Sequence, residues 1–519
     1  MSAPTLPAAS LASADSSDAA LPAPVADEPR HRLHWLIAYV VGMAVALPLY
    51  LLFATPRFTT LARVLAWLGL GLSLVPLLHA LVARESRRCL IVAIGLWVTL
   101  YHHLAVFHER SLLLRWGEAR LSDRSVELAT LLAALVVPCL WGGWALGSAL
   151  RTQRFLPRVQ LAIDPAWLRG IGSAVVLVSL IADVLWLRGE LPLDRTAVSA
   201  IAWLTPGELG FAMVLLPSLQ ERRPKGIGRW LFWALFALAA TVALMRGVLT
   251  PLIKPLLIYL LGWLFARRSL RVWPVVTALL AVVILQPVKA EFRARVWDRS
   301  ARMDLWQRAE LFVDLTAQHW LGEGPGWGQD RSQSLQVAAA RTAGALQLAH
   351  AIEMTPAAVP HQWGATYVYL RHAFIPRVFD PEKPIAQHAD VWAAVIYGYT
   401  TPAGTAHVMV GLGQIPEAYI NFGLFGALLL FAGIGLLCRM VDDVLAHPWA
   451  QNGALVLHLY FVQNLTTTLE GSLAQFWGGV PQTFLFYGLG LALLSSATTL
   501  RPAFRREPGF AIASGSHAR

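Results

Sequence analysis

Long apolar runs alternate with short polar stretches along the chain, and most runs approach the roughly 20 residues that carry a helix across a bilayer. Twelve can be drawn, at 34–54, 61–83, 89–107, 128–150, 170–187, 197–219, 230–245, 249–266, 272–287, 418–438, 452–469 and 479–496. Pro206, Gly207 and Glu208 interrupt the sixth, and the seventh and eighth meet near Arg246 and Gly247. The pattern predicts an all-α, polytopic helical integral membrane protein of about 12 transmembrane helices, with one long loop after the ninth. It divides the chain into a tail (1–33), a bundle of about nine helices (34–287), the loop (288–417), a bundle of about three helices (418–496) and a second tail (497–519).

Composition agrees with that pattern. Of 519 residues 56% are hydrophobic and only 14% charged, with mean hydropathy +0.54, whereas soluble domains carry about 25% charged residues. A water-soluble enzyme, a disordered regulator and a fibrous protein are excluded. The net charge of +11 is not spread as on a nucleic-acid-binding surface. It sits in clusters between runs: Arg84, Arg87 and Arg88; Arg151, Arg154 and Arg158; Arg222, Arg223 and Lys225; Arg267, Arg268 and Arg271; Arg501, Arg505 and Arg506. All fall on one side of the alternating topology, which the positive-inside rule makes cytoplasmic, with both termini inside. The stretch 108–127 lies on the other side; its four arginines are offset by four acids. Met1 to Glu28, rich in Ala, Pro and Ser and without a basic residue, reads as a disordered tail and not a secretory signal. Cys89, Cys139 and Cys438 lie in or beside apolar runs, so neither a disulfide framework nor a thiolate zinc cluster is expected.

The long connection from Val288 to Ile415 falls on the outer side and holds 11 basic and 11 acidic residues. A loop of that length is usually functional. Within it, Ala301 to Trp320 places Leu305, Ala309, Phe312, Leu315 and His319 at helical spacing, which predicts an amphipathic helix lying on the bilayer surface. Gln333 to Ile352 suggests a second. Gly322 to Gly328 is glycine-rich, but Pro325 interrupts it and no strand precedes it, so it reads as a hinge and not a nucleotide loop.

The chemistry concentrates near the end of this loop. His361-Gln-Trp-Gly-Ala-Thr-Tyr367 is followed by Ile375-Pro-Arg-Val-Phe-Asp-Pro-Glu-Lys-Pro384, and later by Gly413-Gln-Ile-Pro-Glu-Ala-Tyr-Ile-Asn-Phe-Gly-Leu-Phe-Gly426. Prolines at 376, 381 and 384 restrict the backbone and hold Arg377 and Lys383 close together. A fixed pair of cations at a membrane surface suits a diphosphate, the guanidinium gripping two oxygens and the ammonium acting as a point charge; the competing reading is contact with ordinary lipid headgroups. Elsewhere, Asp183 and Lys254 are ionisable groups inside apolar runs, where such groups often line a cavity. His102-His103 are adjacent, do not share a helix face, and read as an interfacial polar cluster. Gln463, Asn464 and Glu470 give the eleventh run a polar outer end.

The series Gly364-x-Thr366, Pro376-Arg377, Pro381-x-Lys383-Pro384 and Pro416-Glu417-x-Tyr419-x-Asn421-Phe422-Gly423-x-x-Gly426 resembles the Wzy-type polysaccharide polymerases, over about 360–430. Weaker echoes are Gln286-Pro-Val-Lys-Ala-Glu-Phe-Arg293 and Arg246-Gly247. The resemblance implies a membrane glycosyltransferase of the bacterial inner membrane, with its long loop periplasmic. Such enzymes move a growing glycan from undecaprenyl diphosphate onto the repeat unit borne by another carrier, without a metal or other cofactor. A flippase and a chain-length regulator of the same pathway are the partners implied. On this reading Arg377 and Lys383 stabilise the departing diphosphate, aided by Arg246, Arg293 and Lys254. His361, His388 and Glu417 are candidates for the general base that the acceptor hydroxyl needs. Trp363, Tyr367 and Asn421 are candidates for sugar contacts, with Trp392 and Trp477 as further stacking surfaces. The competing functions are an O-antigen ligase-like enzyme, a twelve-helix flippase or transporter, which predicts internal repeats and a polar path deep in the bilayer, and a non-catalytic partner of an export complex.

Overall fold

A computed structural model describes residues 28–54, 58–83, 89–107, 121–188, 206–220, 227–267, 273–296, 303–322, 344–373, 375, 379–380, 382–385, 387–406, 410–447, 450–495 and 497–501. The N-terminal tail, the segment 323–343 and Arg377 lie outside the described residues.

Every one of the twelve apolar runs is helical over its described residues. The first six helices are α1 (Glu28–Leu52), α2 (Thr60–Val82), α3 (Leu90–Phe107), α4 (Asp123–Ala149), α5 (Pro165–Leu187) and α6 (Gly207–Gln220). They are followed by α7 (Ile227–Arg246), α8 (Thr250–Arg267) and α9 (Trp273–Leu285). Among the described residues, seven helices are long and apolar enough to cross a membrane: those at Arg32–Leu52, Thr60–Val82, Leu90–Phe107, Asp123–Ala149, Pro165–Leu187, Ile227–Arg246 and Gln414–Leu445. The chain is thus an all-α protein with the helices of a membrane protein. Helix starts follow local chemistry. Asp164 accepts from the amides of Ala166 and Trp167 while Pro165 opens α5, where its missing N–H costs no bond. Pro206 likewise precedes α6 instead of breaking it, so the sixth run is helical only from Gly207; residues 197–205 are outside the described set.

Beyond α9 come α10 (Lys289–Val296) and α11 (Leu305–Leu321). The expected amphipathic helix is α11. Asp304 and Gln307 form a reciprocal capping box at its start. Phe312 and Leu315 are buried against Val288, Phe292 and Val296, with Trp306 and Leu321 left exposed. The second expected amphipathic helix is different. Only its later part is described, as α12 (Gly344–Met354), and Gly344 to Ala349 are buried on every side, because α12 packs against α4 and the helix that follows the loop. A helix apolar all round belongs in an interior and not on a surface.

The loop then supplies α13 (His388–Ile396), followed by α14 (Gln414–Leu445), α15 (Asn452–Thr468) and a final helical run from Val480 to Leu493 with a π turn at Phe484–Gly488. The centre of the bundle is the crossing of α4 and α14. A Cβ on Gly143 would lie 1.8 Å from the Ala432 carbonyl oxygen, and one on Gly435 would lie 1.9 Å from that of Leu140. One glycine on each helix therefore permits backbone contact, the usual device where lipid offers no hydrophobic drive for association. At the end of this crossing Asp442 accepts from Trp144 Nε1 (3.1 Å) and pairs with His458 Nε2 (2.8 Å), while Asp443 holds Arg439 (3.0 Å) and the Thr152 hydroxyl (2.8 Å). The Arg439 guanidinium lies 4.5 Å from the Trp144 ring centroid. On the same end, β1 (Arg158–Ala162) pairs antiparallel with β2 (Ala497–Arg501), Arg158 opposite Arg501.

His102 and His103 do not form an interfacial cluster. They occupy a π turn (Thr99–His103) within α3 and are fully buried, because Gly69 of α2 leaves room for the His103 ring and Ser73 bonds its Nε2 at 3.1 Å.

Candidate functional site

At the opposite end of the α4–α14 crossing, the described residues between Gly344 and Gly413 fold over the first turns of α14. Ala351, Val359, Ala393, Tyr397, Leu412 and Ile420 make a small separate core there. His350 bonds the Tyr397 carbonyl (2.9 Å).

The head of α14 is set by Gly423, whose φ of 67° and ψ of −166° break the helical path. In a straight helix the carbonyls of residues 420 and 421 would be taken by amides four residues on. The kink releases them, and the loop uses them: Gln362 N–H donates to Ile420 O (3.0 Å), Trp363 N–H to Asn421 O (3.1 Å), and His361 Nδ1 lies 3.2 Å from Ile420 O. Buried carbonyls must find partners, so the loop's position follows from the kink.

Gln414, Glu417 and Asn421, spaced three and four apart, share one buried face of this head. Asn421 is turned inward: its Nδ2 donates to Thr366 Oγ1 (2.7 Å) and to the Glu417 carbonyl (2.8 Å), and its Oδ1 accepts from Gly364 N–H (2.9 Å). Asn421 therefore braces the loop and does not face outward as a sugar contact would. Glu417 Oε2 accepts from Leu473 N–H at 2.6 Å and the Thr366 hydroxyl lies beside the carboxyl, while buried Oε1 has no hydrogen-bond partner among the described residues. The hydroxyl of Tyr367 and Nε2 of Gln414 are buried and unpartnered in the same sense. Burial, and next the nearby Glu417 charge, hold the Tyr367 phenol above its usual range. Above this face stands Trp363, 78% exposed with φ of +47°. That backbone region is strained for an aromatic residue, and the pairing of Trp363 with Asn421 O maintains it.

Compared with known proteins, the chain matches no family model, no curated protein and no solved structure.

The other sequence-derived candidates divide into two groups. Near the head of α14, Lys383 Nζ donates to the carbonyls of His372 (3.2 Å) and Ile375. Its partner in the motif, Arg377, is outside the described residues. His388 is exposed, with its ring 4.3 Å from that of Tyr369. Trp392 is half-buried beside Tyr397, and Trp477 ends the short helix Leu473–Trp477. The second group gathers around the α7–α8 turn. Arg246 pairs with Asp183 (2.5 Å), its guanidinium lying 5.1 Å from the Trp186 ring centroid, and Lys254 pairs with Glu208 (2.6 Å). Arg293 Nε donates to Gly247 O (3.0 Å), which separates it from Arg295, an exposed residue paired with Glu291. Arg246 and Lys254 thus each face a carboxylate.

Sequence reasoning missed Asp390. It is fully buried and accepts from Leu412 N–H (2.8 Å), Ser472 Oγ (2.9 Å) and Gln475 Nε2 (2.8 Å). Burial raises its carboxyl above the usual range, and these bonds oppose the rise. The only sequence signal is an acid placed near the start of the apolar stretch Ala389 to Ile396. Among the described residues, no three His, Cys, Asp or Glu side chains are grouped to hold a metal ion.

Proposed function

We propose that the chain is a polysaccharide polymerase of the inner membrane, crossing it about twelve times with both termini cytoplasmic. On this reading residues 344–413 lie on the periplasmic side, where the enzyme transfers a glycan from undecaprenyl diphosphate to a lipid-linked repeat unit. The observation that carries this reading is the Glu417 carboxylate: one oxygen is oriented by Leu473 N–H, the other has no hydrogen-bond partner among the described residues, and an exposed Trp363 and the Lys383 ammonium are carried by the loop folded over it. An oriented carboxylate with one unused oxygen suits a general base.

The reaction follows from these parts. The acceptor hydroxyl oxygen attacks the anomeric carbon, its proton passes to Glu417 Oε1, and the bond from that carbon to the diphosphate oxygen breaks. Lys383 and the neighbouring Arg377 take up the charge that develops on the diphosphate, the role a preorganised cation performs best. We place the diphosphate there and not at Arg246 or Lys254, because binding at the latter would require displacing Asp183 or Glu208. Trp363 offers its ring as a platform for a sugar face.

The test is the profile of lipid-linked glycans in cells lacking the protein. Single repeat units left unpolymerised on the carrier support the proposal. Polymer that forms but is not passed to lipid A supports a ligase instead, and precursor trapped on the cytoplasmic side supports a flippase.

A further inference from the structure

Glu417 takes its shortest hydrogen bond from the amide of Leu473, which opens the short helix Leu473–Trp477 after α15 and is remote in sequence. Three segments meet at this point: α13, the approach to α14 at 410–413, and the turn 469–475. The last two are in backbone contact, since a Cβ on Gly411 would lie 2.3 Å from the Glu470 carbonyl oxygen. One side chain ties all three. Asp390, from α13, takes Leu412 N–H on Oδ1 and both Ser472 Oγ and Gln475 Nε2 on Oδ2. Ser472 immediately precedes the amide that holds Glu417.

A buried carboxylate with these donors, joined by the Ser472 amide, is expensive to create and is retained where it fixes a geometry. Apolar packing alone would hold the turn near α14, but it would not set the direction of a single N–H. We infer that Asp390 is a positioning residue that aims the Leu473 amide, and through it the Glu417 carboxylate, by fixing the turn at Ser472 and Gln475. The inference rests on the glycosyl-transfer reading for its consequence in catalysis, but not for its geometry. Asp390 touches no reacting atom. Removing it leaves Glu417 in place and lets its carboxylate turn. A misplacement of about 1 Å is enough to lower a rate by about 100-fold.

The experiment uses the full-length protein in lipid nanodiscs, in wild-type form and as Asp390→Asn, Ser472→Ala and Glu417→Gln. The substrate is the lipid-linked material isolated from cells lacking the protein. Two signals are read: the rate of chain growth, and the carboxyl infrared band that disappears in Glu417→Gln. The inference expects that band to move in both Asp390→Asn and Ser472→Ala, with kcat about 10- to 100-fold lower and KM for the acceptor little changed. A band that coincides with wild type in both folded variants overturns it. Should Asp390→Asn fail to fold, Ser472→Ala carries the test alone, since it deletes one hydroxyl and no charge. A wild-type protein that builds no polymer overturns the glycosyl-transfer reading only, because the infrared signal needs no reaction.

Discussion

The Leu473 amide donates to Glu417 Oε2 at 2.6 Å, and Oε1 has no hydrogen-bond partner among the described residues. A carboxylate held by one oxygen in a buried setting is oriented yet incomplete, which is what a base awaiting a hydroxyl requires. Glu417→Gln keeps an oxygen for the Leu473 bond and removes the basicity. It is expected to fold with an unchanged thermal midpoint and to slow chain growth by about 10²- to 10⁴-fold. Radiolabelled repeat units separated by size provide the measurement, and full-length chains from a well-inserted variant would refute the role.

Lys383 is anchored by two backbone carbonyls and neighbours Arg377 in the motif. Either Lys383→Ala or Arg377→Ala is expected to reduce polymer by about 10²- to 10³-fold while single repeat units accumulate on the carrier. Lys383→Arg should rescue only partly, since the guanidinium cannot occupy the compact position of an ammonium between those carbonyls. Quantifying the lipid-linked pool by mass spectrometry decides between this outcome and a uniform loss of protein.

The Arg439–Asp443 pair is almost wholly buried between α4 and α14. Asp443→Ala leaves the guanidinium without its carboxylate and is expected to lower stability by about 3–5 kcal/mol. Thermal unfolding of the detergent-solubilised protein measures this. Replacing both residues with leucine should recover much of the loss, because the cost lies in the unpaired charge.

Glu353 caps the start of α4 by accepting from the Ser122 amide (3.3 Å), the Ser122 hydroxyl (2.6 Å) and the Ser125 hydroxyl. The bond from Ser122, and then that from Ser125, lower its carboxyl below the usual range. A folded-state value below the unfolded one makes the contribution present above the ordinary glutamate range and lost as pH falls through the depressed folded value. Wild type is therefore expected to lose, on acidification, a small stability increment that Glu353→Gln lacks at every pH. Melting curves across pH 3 to 7 test this, the increment being modest because the group is largely solvated.

The helical elements were legible because apolar runs separated by basic clusters leave few alternatives in a bilayer. The identity of the site was legible in part: Glu417, Tyr367 and His361 do converge on the head of α14, as their shared motif region suggested. What sequence could not supply was pairing across distance. Asp183 and Arg246 lie 63 positions apart, and Asp390 meets Ser472 across 82; in an isolated chain each looks like a single ionisable group. His102 and His103 were misplaced for a related reason, since the π turn and the space beside Gly69 that bury them are properties of two helices together. The motif suggests Asn421 as a sugar contact, yet both of its amide donors go to Thr366 and the Glu417 carbonyl, and its oxygen accepts from Gly364 N–H.

Gly423 has a further meaning for the architecture. Because its left-handed φ suits glycine far better than any residue with a side chain, the short rod carrying Glu417 points along one axis and the rod that follows along another. Two tasks with opposing demands are thereby assigned to one continuous segment: a polar workbench that holds Glu417 and Asn421, and an oily shaft long and apolar enough to cross a membrane. The joint between them is a single residue wide, so the tilt of the workbench is inherited by every group mounted on it.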